Sequence, residues 1–306
     1  MDKMKKILGG ALNNVEHALS LYADSYCTLP ARFIYDKELL KQYESVIKNC
    51  HIYMIGYLPT RELVGIKQID KSILMEFKLE GETRTIKLPL PEDSNLAGDY
   101  EQGYFAENDK GDKYSIPEEA INHYLSKYSK FDIRYIGQAY GKDGSRNALD
   151  RLLKHETLQK ISLTGTPKGF ELSLLLLEVE SSNRLITALN PFAANKDDDG
   201  TRVKAGINKL YNTTEQERIS LFEASFIRYF SPQFNKEFKN SFPSTNLKLL
   251  QDCYDKDFSA VFAEINIEEL PFQLGSETVD VNHCHFAKHD LHKEKDRKAF
   301  FMEAKD

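Results

Sequence analysis

The stretch FDIRYIGQAYGKDGSRNALDRLLKH, from Phe131 to His155, places a strand, a glycine-rich turn and a helix in immediate succession. Phe131, Ile133 and Tyr135 alternate with polar residues, which predicts a strand with one buried face. The following GKDG segment contains turn-forming residues, so we expect the chain to bend there. From Ala148 onward the leucines recur at helical intervals, which predicts an amphipathic helix.

Two polar residues of this predicted helix carry the first functional hypothesis. Arg151 and His155 are four residues apart, so on one helix they would lie above each other on the same face. A pair of this kind is more often part of a solvated face. However, the order of the tripeptide Tyr-Ile-Gly at 135–137 and an Arg-x-x-x-His helix resembles the GIY-YIG nuclease superfamily. In that superfamily the second strand carries the tripeptide and the first helix carries the pair.

A second stretch, EQERISLFEASFIRYFSPQFN at 215–235, supports the resemblance. Its apolar residues follow one helical stripe, and Pro232 predicts that the helix stops near Phe230. Glu223 lies beside that stripe, where a carboxylate is costly to bury unless it is paired or binds a cation. The superfamily has a metal-binding Glu on a later helix, then a proline-containing break and an Asn. Glu223, Pro232 and Asn235 occur in that order, and the resemblance covers about residues 131–240.

The resemblance implies a role for each matched residue. Glu223 would hold one divalent cation, Mg²⁺ or Mn²⁺, and Arg151 would hold phosphate oxygens. His155 would orient or deprotonate the attacking water through a neighbouring tyrosine, or donate a hydrogen bond to phosphate. Asn235 would support the site by hydrogen bonds. Gln138 and Lys142 follow the strand where a DNA backbone would pass, although ordinary loop positions explain them equally well.

The tyrosine of the GIY strand has two candidates, because the sequence contains no Gly-Ile-Tyr. Tyr135 corresponds to the tyrosine of the YIG tripeptide, whereas the superfamily takes its general base from the GIY strand. Tyr53, in His-Ile-Tyr, has the most strand-like surroundings, but it lies so far before Tyr135 that a whole hairpin unit would have to be inserted between them. Tyr104, in Gly-Tyr-Phe, is nearer in the sequence and has loop-like surroundings. Both Tyr53 and Tyr104 are candidates for the base.

The composition is that of a globular protein with an uneven charge distribution. The 306 residues are 41% hydrophobic and carry a net charge of −6, whereas residues 131–240 hold 16 Lys and Arg against 14 Asp and Glu. This asymmetry is compatible with a phosphate-facing core in an acidic frame. Four scattered cysteines without a Cys-x-x-Cys indicate reduced thiols. The absence of a signal-peptide core, and of an apolar run long enough to cross a bilayer, predicts a cytoplasmic protein without a membrane span.

The whole pattern predicts an α+β fold with α/β-like layers, in which a small mixed or antiparallel sheet is flanked by helices. We expect an N-terminal α+β unit at 1–125, able to contribute the first strand of the core, a nuclease-like core at 126–245, and a C-terminal extension at 246–306. Individual elements are expected as follows: helices at 3–23, 36–48 and 117–127; strands at 50–58 and 170–180; a hairpin at 73–91; a loop or second hairpin at 92–113; a mobile loop at 190–204; and a helix and strand within 247–270.

The segment VDVNHCHFAKHDLH near the C-terminus raises the question of a second metal site. Its zinc-competent side chains match no closed zinc-site spacing, and one element rarely surrounds a tetrahedral ion. A polar strand-to-helix junction is therefore the favoured interpretation. The residues concerned are His283, Cys284, His285, His289 and His292.

Together these observations predict a metal-dependent endonuclease that hydrolyses double-stranded DNA, of the restriction or phage-defence kind and able to act as a homodimer. Two alternatives remain open. The missing GIY tripeptide favours a catalytically degenerate module that binds nucleic acid without turnover. The N-terminal unit is also consistent with a regulatory or assembly protein in which the nuclease-like part is a scaffold.

Overall fold

The computed structural model describes residues 15–23, 25–141, 144–180, 184–189, 200–243, 246–256 and 258–291. These residues form a mixed α+β fold, as the sequence predicts. The strands are β1 (Val15–Ala23), β2 (Ser25–Pro30), β3 (Ile52–Pro59), β4 (Glu62–Ile69), β5 (Ser72–Leu79), β6 (Glu82–Pro89), β7 (Ser94–Asp99), β8 (Gly103–Asn108), β9 (Lys113–Ser115), β10 (Lys130–Gln138), β11 (Phe170–Glu178), β12 (Arg184–Leu189), β13 (Ala260–Asn266), β14 (Gln273–Gly275) and β15 (Cys284–Asp290). The helices are α1 (Lys37–Gln42), α2 (Glu44–Ile47), α3 (Glu118–Ser126), α4 (Ala148–Leu152), α5 (Glu156–Thr164), α6 (Thr201–Asn212), α7 (Glu215–Phe230) and α8 (Lys248–Asp255).

A five-stranded sheet in the order β14-β10-β3-β11-β2 forms the centre of the molecule. β3 lies in the middle and runs antiparallel to both of its neighbours, while the short β14 pairs in parallel with the beginning of β10. Side chains of β3 alternate between two cores: Ile52 and Met54 contribute to one, and Tyr53 and Ile55 to the other. The sheet is therefore buried on both faces.

Helices cover both faces of this sheet. α7 packs on one face through fully buried phenylalanines, among them Phe222, Phe226 and Phe230. Each such side chain contributes roughly 1.5–3 kcal/mol through burial. The other face is covered by residues of α1, α2, α4 and α5 and of a short 3₁₀ helix, Ala31–Phe33. The site described below lies at one edge of this layered arrangement.

A second sheet, in the order β12-β1-β13-β15, packs against the same core as α7. Its strand β1 shows that the helix predicted at 3–23 is wrong within the described residues, and positions 3–14 lie outside them. The helix-like spacing of apolar residues concealed a period of two, because Leu19, Leu21 and Ala23 all point into the core. Pairing with β12 and β13 on both sides determines the strand conformation.

The chain between β3 and β10 forms a separate elaboration. It contains two three-stranded sheets, β4-β5-β6 and β7-β8-β9, and the helix α3, all around a core of their own. The predicted hairpin at 73–91 is confirmed as β5 and β6, and the segment 92–113 forms a second hairpin. This insertion explains why Tyr53 and Tyr135 lie so far apart in the sequence.

Most of the remaining predicted elements are confirmed. The strands expected at 50–58 and 170–180 are β3 and β11, and the helix at 117–127 is α3. The helix expected at 36–48 is divided into α1 and α2, with Asp36 accepting a hydrogen bond at the N-terminus of α1. The loop expected at 190–204 lies mostly outside the described residues, but its end forms the start of α6. Among the described residues, no helix is both long and apolar enough to cross a membrane.

Candidate active site

A β-bulge in β10 determines which way the predicted site residues point. The register with β3 shifts between Ile133 and Tyr135, so Arg134 is the extra residue. Phe131, Ile133 and Ile136 consequently point into the α7 core, whereas Tyr135 packs with the opposite core beside Tyr53. The expectation that Phe131, Ile133 and Tyr135 share one buried face is therefore wrong, because a bulge reverses the alternation.

Gly137 allows Tyr53 to lie against β10. The two residues are register partners across β10 and β3. A Cβ at position 137 would lie 2.5 Å from both Cζ and Oη of Tyr53 and 2.8 Å from Cε1 of Tyr135. The glycine of the tripeptide is thus required by the close approach of two tyrosine rings.

Tyr53 and His155 form the buried centre of the site. The Tyr53 hydroxyl lies 2.9 Å from His155 Nε2, and the Tyr53 side chain is 1% exposed. The rings of Tyr53, Tyr135 and His155 are in mutual contact, with centroid separations of 5.2–6.1 Å. Of the two tyrosines considered for the GIY position, Tyr53 is the one that contacts the predicted site.

The helix predicted from Ala148 is interrupted, and this corrects the arrangement of Arg151 and His155. α4 ends at Leu152, and His155 caps the N-terminus of α5 instead of continuing α4. His155 Nδ1 accepts a hydrogen bond from the Leu158 N–H at 3.4 Å. The neutral ring therefore carries its proton on Nε2, which donates to the Tyr53 oxygen. Burial and the nearby Arg151 charge lower the pKa of His155, which favours this neutral form.

Arg151 is exposed at the end of α4, and its charge acts on the buried groups. Burial raises the pKa of Tyr53 and of Tyr135, the Glu223 carboxylate raises both further, and Arg151 acts in the opposite direction. Arg151 likewise opposes the shift of the Glu223 pKa. Within the described residues Arg151 forms no ion pair with a carboxylate. Its guanidinium is thus available to an anionic ligand.

Glu223 approaches from α7 on the other side of the β10 edge. Its side chain is 9% exposed, and Oε2 accepts a hydrogen bond from Gln138 Nε2 at 2.7 Å. Burial raises the pKa of Glu223 to about 7, Gln138 opposes this shift, and Glu237 adds to it. A capping box at Thr214 begins α7 and a left-handed Ser231 ends it, so the helix that carries Glu223 has fixed ends.

Asn235 attaches the segment after α7 to the edge of β10. Its Oδ1 accepts from the Ile136 N–H at 2.9 Å, and its Nδ2 donates to the Ile136 carbonyl at 2.8 Å. The neighbouring Phe234 N–H donates to the Arg134 carbonyl at 3.0 Å. Beyond the short β14, these residues replace a strand partner, so Asn235 supports the site through backbone contacts.

An open cleft of about 480 Å³ lies at the edge of β10, between this strand and α7. Tyr135, Glu223 and Asn235 line it together with residues that the sequence analysis did not identify. The signal for one of them was present, because Glu237 follows Asn235 by two residues and brings a second carboxylate. The unidentified lining residues with charged side chains are Glu156, Lys160, Lys236 and Glu237.

The donor groups of the cleft fit a hard divalent cation bound chiefly by one carboxylate. Within the described residues, no three His, Cys, Asp or Glu side chains are grouped to hold a metal ion. Mg²⁺ commonly keeps several waters and uses one or two carboxylates together with substrate phosphates. Glu223, with its raised pKa and with Glu237 in the same cleft, is a carboxylate whose ionised form a cation would stabilise.

Three other predictions have different outcomes. Tyr104 lies on β8, in the inserted sheet, and the structure does not bring it together with Tyr53, His155 or Glu223. Lys142 lies outside the described residues, and Gln138 contacts Glu223 and Ser220.

The histidines near the C-terminus lie on or beside β15, while His292 is outside the described residues. His285 Nε2 bonds to the carbonyls of Leu274 and Asn282, and His289 Nε2 bonds to the Ser225 carbonyl. These contacts attach β15 to its neighbours.

All four cysteines of the chain are free thiols.

Comparisons with protein-family models, curated proteins and solved structures found no match for this chain.

Proposed function

We propose that this chain is a divalent-metal-dependent nuclease of the GIY-YIG type that hydrolyses phosphodiester bonds of double-stranded DNA in the cleft beside β10. One observation carries the proposal. Tyr135 and Glu223 line one open cleft, Tyr53 and His155 pack directly behind Tyr135, and Arg151 acts electrostatically on all four.

Phosphodiester hydrolysis requires an attacking water, stabilisation of negative charge and help for the leaving oxygen. A cation held by Glu223 would supply charge stabilisation at the phosphate when it is bound. Arg151 holds phosphate oxygens in this proposal, because its guanidinium is exposed, permanently charged and without a carboxylate partner among the described residues.

The two tyrosines have different roles in the proton transfer from the attacking water. Tyr135 lines the cleft and can contact water directly, whereas Tyr53 lies behind it and is almost fully buried. His155 donates from Nε2 to Tyr53, which fixes that hydroxyl and leaves its hydrogen available for donation to Tyr135. Tyr135 acts as a base in its phenolate form, which the Arg151 charge favours and which has lost its own proton to solvent. It takes the proton of the attacking water and returns it to solvent through the cleft, while Tyr53 and His155 position Tyr135.

The direct test is a cleavage assay on supercoiled plasmid DNA with Mn²⁺, with Mg²⁺ and with EDTA. We expect nicked or linear product with either cation and none with EDTA. A mixture of DNA and RNA in the same assay, followed by mapping of the ends, identifies the substrate. Absence of cleavage on every substrate with both cations would contradict the proposal.

A degenerate module that binds nucleic acid is the second candidate, because the described residues contain no cluster of three metal-ligating side chains. It predicts binding that weakens with salt and no turnover with any divalent cation. Titration of fluorescent duplex DNA distinguishes this module from a regulatory or assembly protein. The restriction or phage-defence role and a homodimer remain proposals, and light scattering with and without DNA tests the dimer.

A further inference from the structure

The side chain of Gln138 contacts the proposed metal ligand directly. Gln138 is the last residue of β10, and its Nε2 donates to Glu223 Oε2 at 2.7 Å. The same amide lies 3.4 Å from the Ser220 hydroxyl, on the preceding turn of α7. Gln138 thus contacts two successive turns of the helix that carries the carboxylate.

The position of Gln138 suits a residue that fixes Glu223. It belongs to a strand whose register with β3 is continuous from Tyr135 to Gln138, so its backbone is held by the central sheet. Gln138 and Glu223 both line the cleft of about 480 Å³. A hydrogen bond from a neutral donor to a carboxylate favours the ionised form, which is the form that binds a cation.

We infer that Gln138 is a positioning residue that holds the Glu223 carboxylate in place for a divalent cation. The inference rests on the proposed function for its purpose, but it concerns cation binding and can be tested without nucleic acid. The geometry supports it, since the Gln138 amide holds Glu223 Oε2 and also contacts Ser220 on the preceding turn of α7. Outer contacts to metal ligands typically change metal affinity or activity by about 10–100-fold.

The test compares Mn²⁺ binding by the parent chain and by Gln138→Leu, which has a similar size and lacks the amide donor. We expect the Mn²⁺ affinity of Gln138→Leu to be at least about tenfold lower at pH 7. Part of the loss should be recovered at pH 8.5, where protons compete less for the carboxylate. Ser220→Ala is the matched control, since it removes the weaker contact and keeps the one to Glu223.

Carboxyl NMR of chains labelled at glutamate gives a readout that a merely structural role would not change. With the Glu223 signal assigned through Glu223→Gln, we expect Gln138→Leu to move its titration to higher pH. If Gln138→Leu does not fold, Gln138→Met, which has a similar length and also lacks the amide donor, should produce the same higher-pH titration and the same loss of Mn²⁺ affinity. An unchanged titration and Mn²⁺ affinity would overturn the inference, as would a parent chain that binds no Mn²⁺. If the parent chain binds Mn²⁺ through Glu223 but cuts no nucleic acid, the nuclease proposal is contradicted. The Mn²⁺ affinities of the parent and Gln138→Leu then still test the inference about Gln138.

Discussion

The cleft beside β10 and the strand β15 both bury titratable side chains, but they engage them in different ways. On β15, His285 and His289 donate to backbone carbonyls of neighbouring segments. Beside β10, the side chains of Tyr53, Tyr135 and His155 contact one another, and Tyr135 and Glu223 border an open cleft. The first arrangement connects elements, whereas the second leaves side-chain chemistry available to a ligand.

The sequence suggests the opposite emphasis. Five zinc-competent residues are close neighbours in the sequence near β15, whereas Tyr53 and Glu223 lie in distant parts of the chain. The two histidines that lie on β15, His285 and His289, share its buried face but are four residues apart, or about 13 Å along the strand. Residues distant in sequence converge because the sheet and α7 bring them to one edge. Closeness in the folded structure, and not closeness in the sequence, therefore identifies a candidate functional cluster.

Apart from the loss of Glu223 itself, the largest expected effect on activity comes from Tyr53, one of the two tyrosines that the sequence left as alternatives. Tyr53→Phe removes the hydroxyl that contacts His155, and we expect nuclease activity to fall by about 10²-fold or more, the lower range for general acid–base groups. Tyr104→Phe, the same chemical change in the inserted sheet, should leave the rate unchanged. Rates of plasmid cleavage measure both, and equal loss in the two variants would contradict the assignment of Tyr53.

Glu223 should destabilise the folded chain when it is ionised without a cation. Its pKa is raised to about 7 from an ordinary value of 4.5, so its contribution to stability is complete below pH 4.5 and is lost as the pH rises through 7. The loss amounts to about 3 kcal/mol at pH 8. We therefore expect Glu223→Gln to unfold at a higher temperature than the parent at pH 8, with a smaller difference at pH 5.

Mg²⁺ or Mn²⁺ should raise the unfolding temperature of the parent at pH 8 and should not affect Glu223→Gln. Thermal unfolding followed by circular dichroism measures these shifts. A Glu223→Gln variant that is less stable than the parent at pH 8 would show that the carboxylate is satisfied by contacts other than a cation.

His289 provides the contrasting pH dependence. Burial lowers its pKa to about 4 from an ordinary value of 6.5, so its contribution is complete above pH 6.5 and is lost as the pH falls towards 4. The loss is up to about 3 kcal/mol. His289→Gln, which keeps an amide donor for the Ser225 carbonyl, should show a flatter stability profile over this range and the same nuclease activity at pH 8. If the free energy of unfolding, measured in urea, falls with pH as steeply in His289→Gln as in the parent, the role of His289 is contradicted.

Gly137→Ala tests the close approach of the two tyrosine rings. The added methyl group would meet the Tyr53 ring at 2.5 Å, and overpacking of this kind costs about 1–3 kcal/mol. Gly65→Ala is the control, because that strand glycine faces the flexible end of the Glu76 side chain at 3.0 Å. Urea unfolding should show a loss of stability only for Gly137→Ala. Equal stability of the two variants would mean that Tyr53 moves without difficulty.

The sequence predicted the central elements of the fold because their patterns are strong. The continuous apolar run of β11 and the phenylalanine stripe of α7 each correspond to one element with nearly the expected ends. The helix expected at 3–23 failed because strand pairing with β12 and β13 overrides a local helical pattern. Such pairing depends on residues far away in the sequence.

The residues of the candidate site could be predicted better than their geometry. Arg151, His155, Glu223 and Asn235 were named from the resemblance to the GIY-YIG superfamily, and nothing in their spacing shows that His155 begins a new helix. The bulge at Arg134 lies where the segment after α7 meets β10, since the Phe234 N–H bonds to the Arg134 carbonyl. The contact between Gln138 and Glu223 was missed for a similar reason, since the two residues are distant in the sequence.

In the proposed reaction, Glu223 binds the cation that hydrolysis requires. The most direct measurement is Mn²⁺-dependent cleavage of duplex DNA by the parent and by Glu223→Ala, with circular dichroism to show that both are folded. A bound metal ion is worth several kcal/mol in such reactions, so we predict a loss of roughly 10³-fold in Glu223→Ala. A folded Glu223→Ala chain that cuts DNA as fast as the parent would contradict the account.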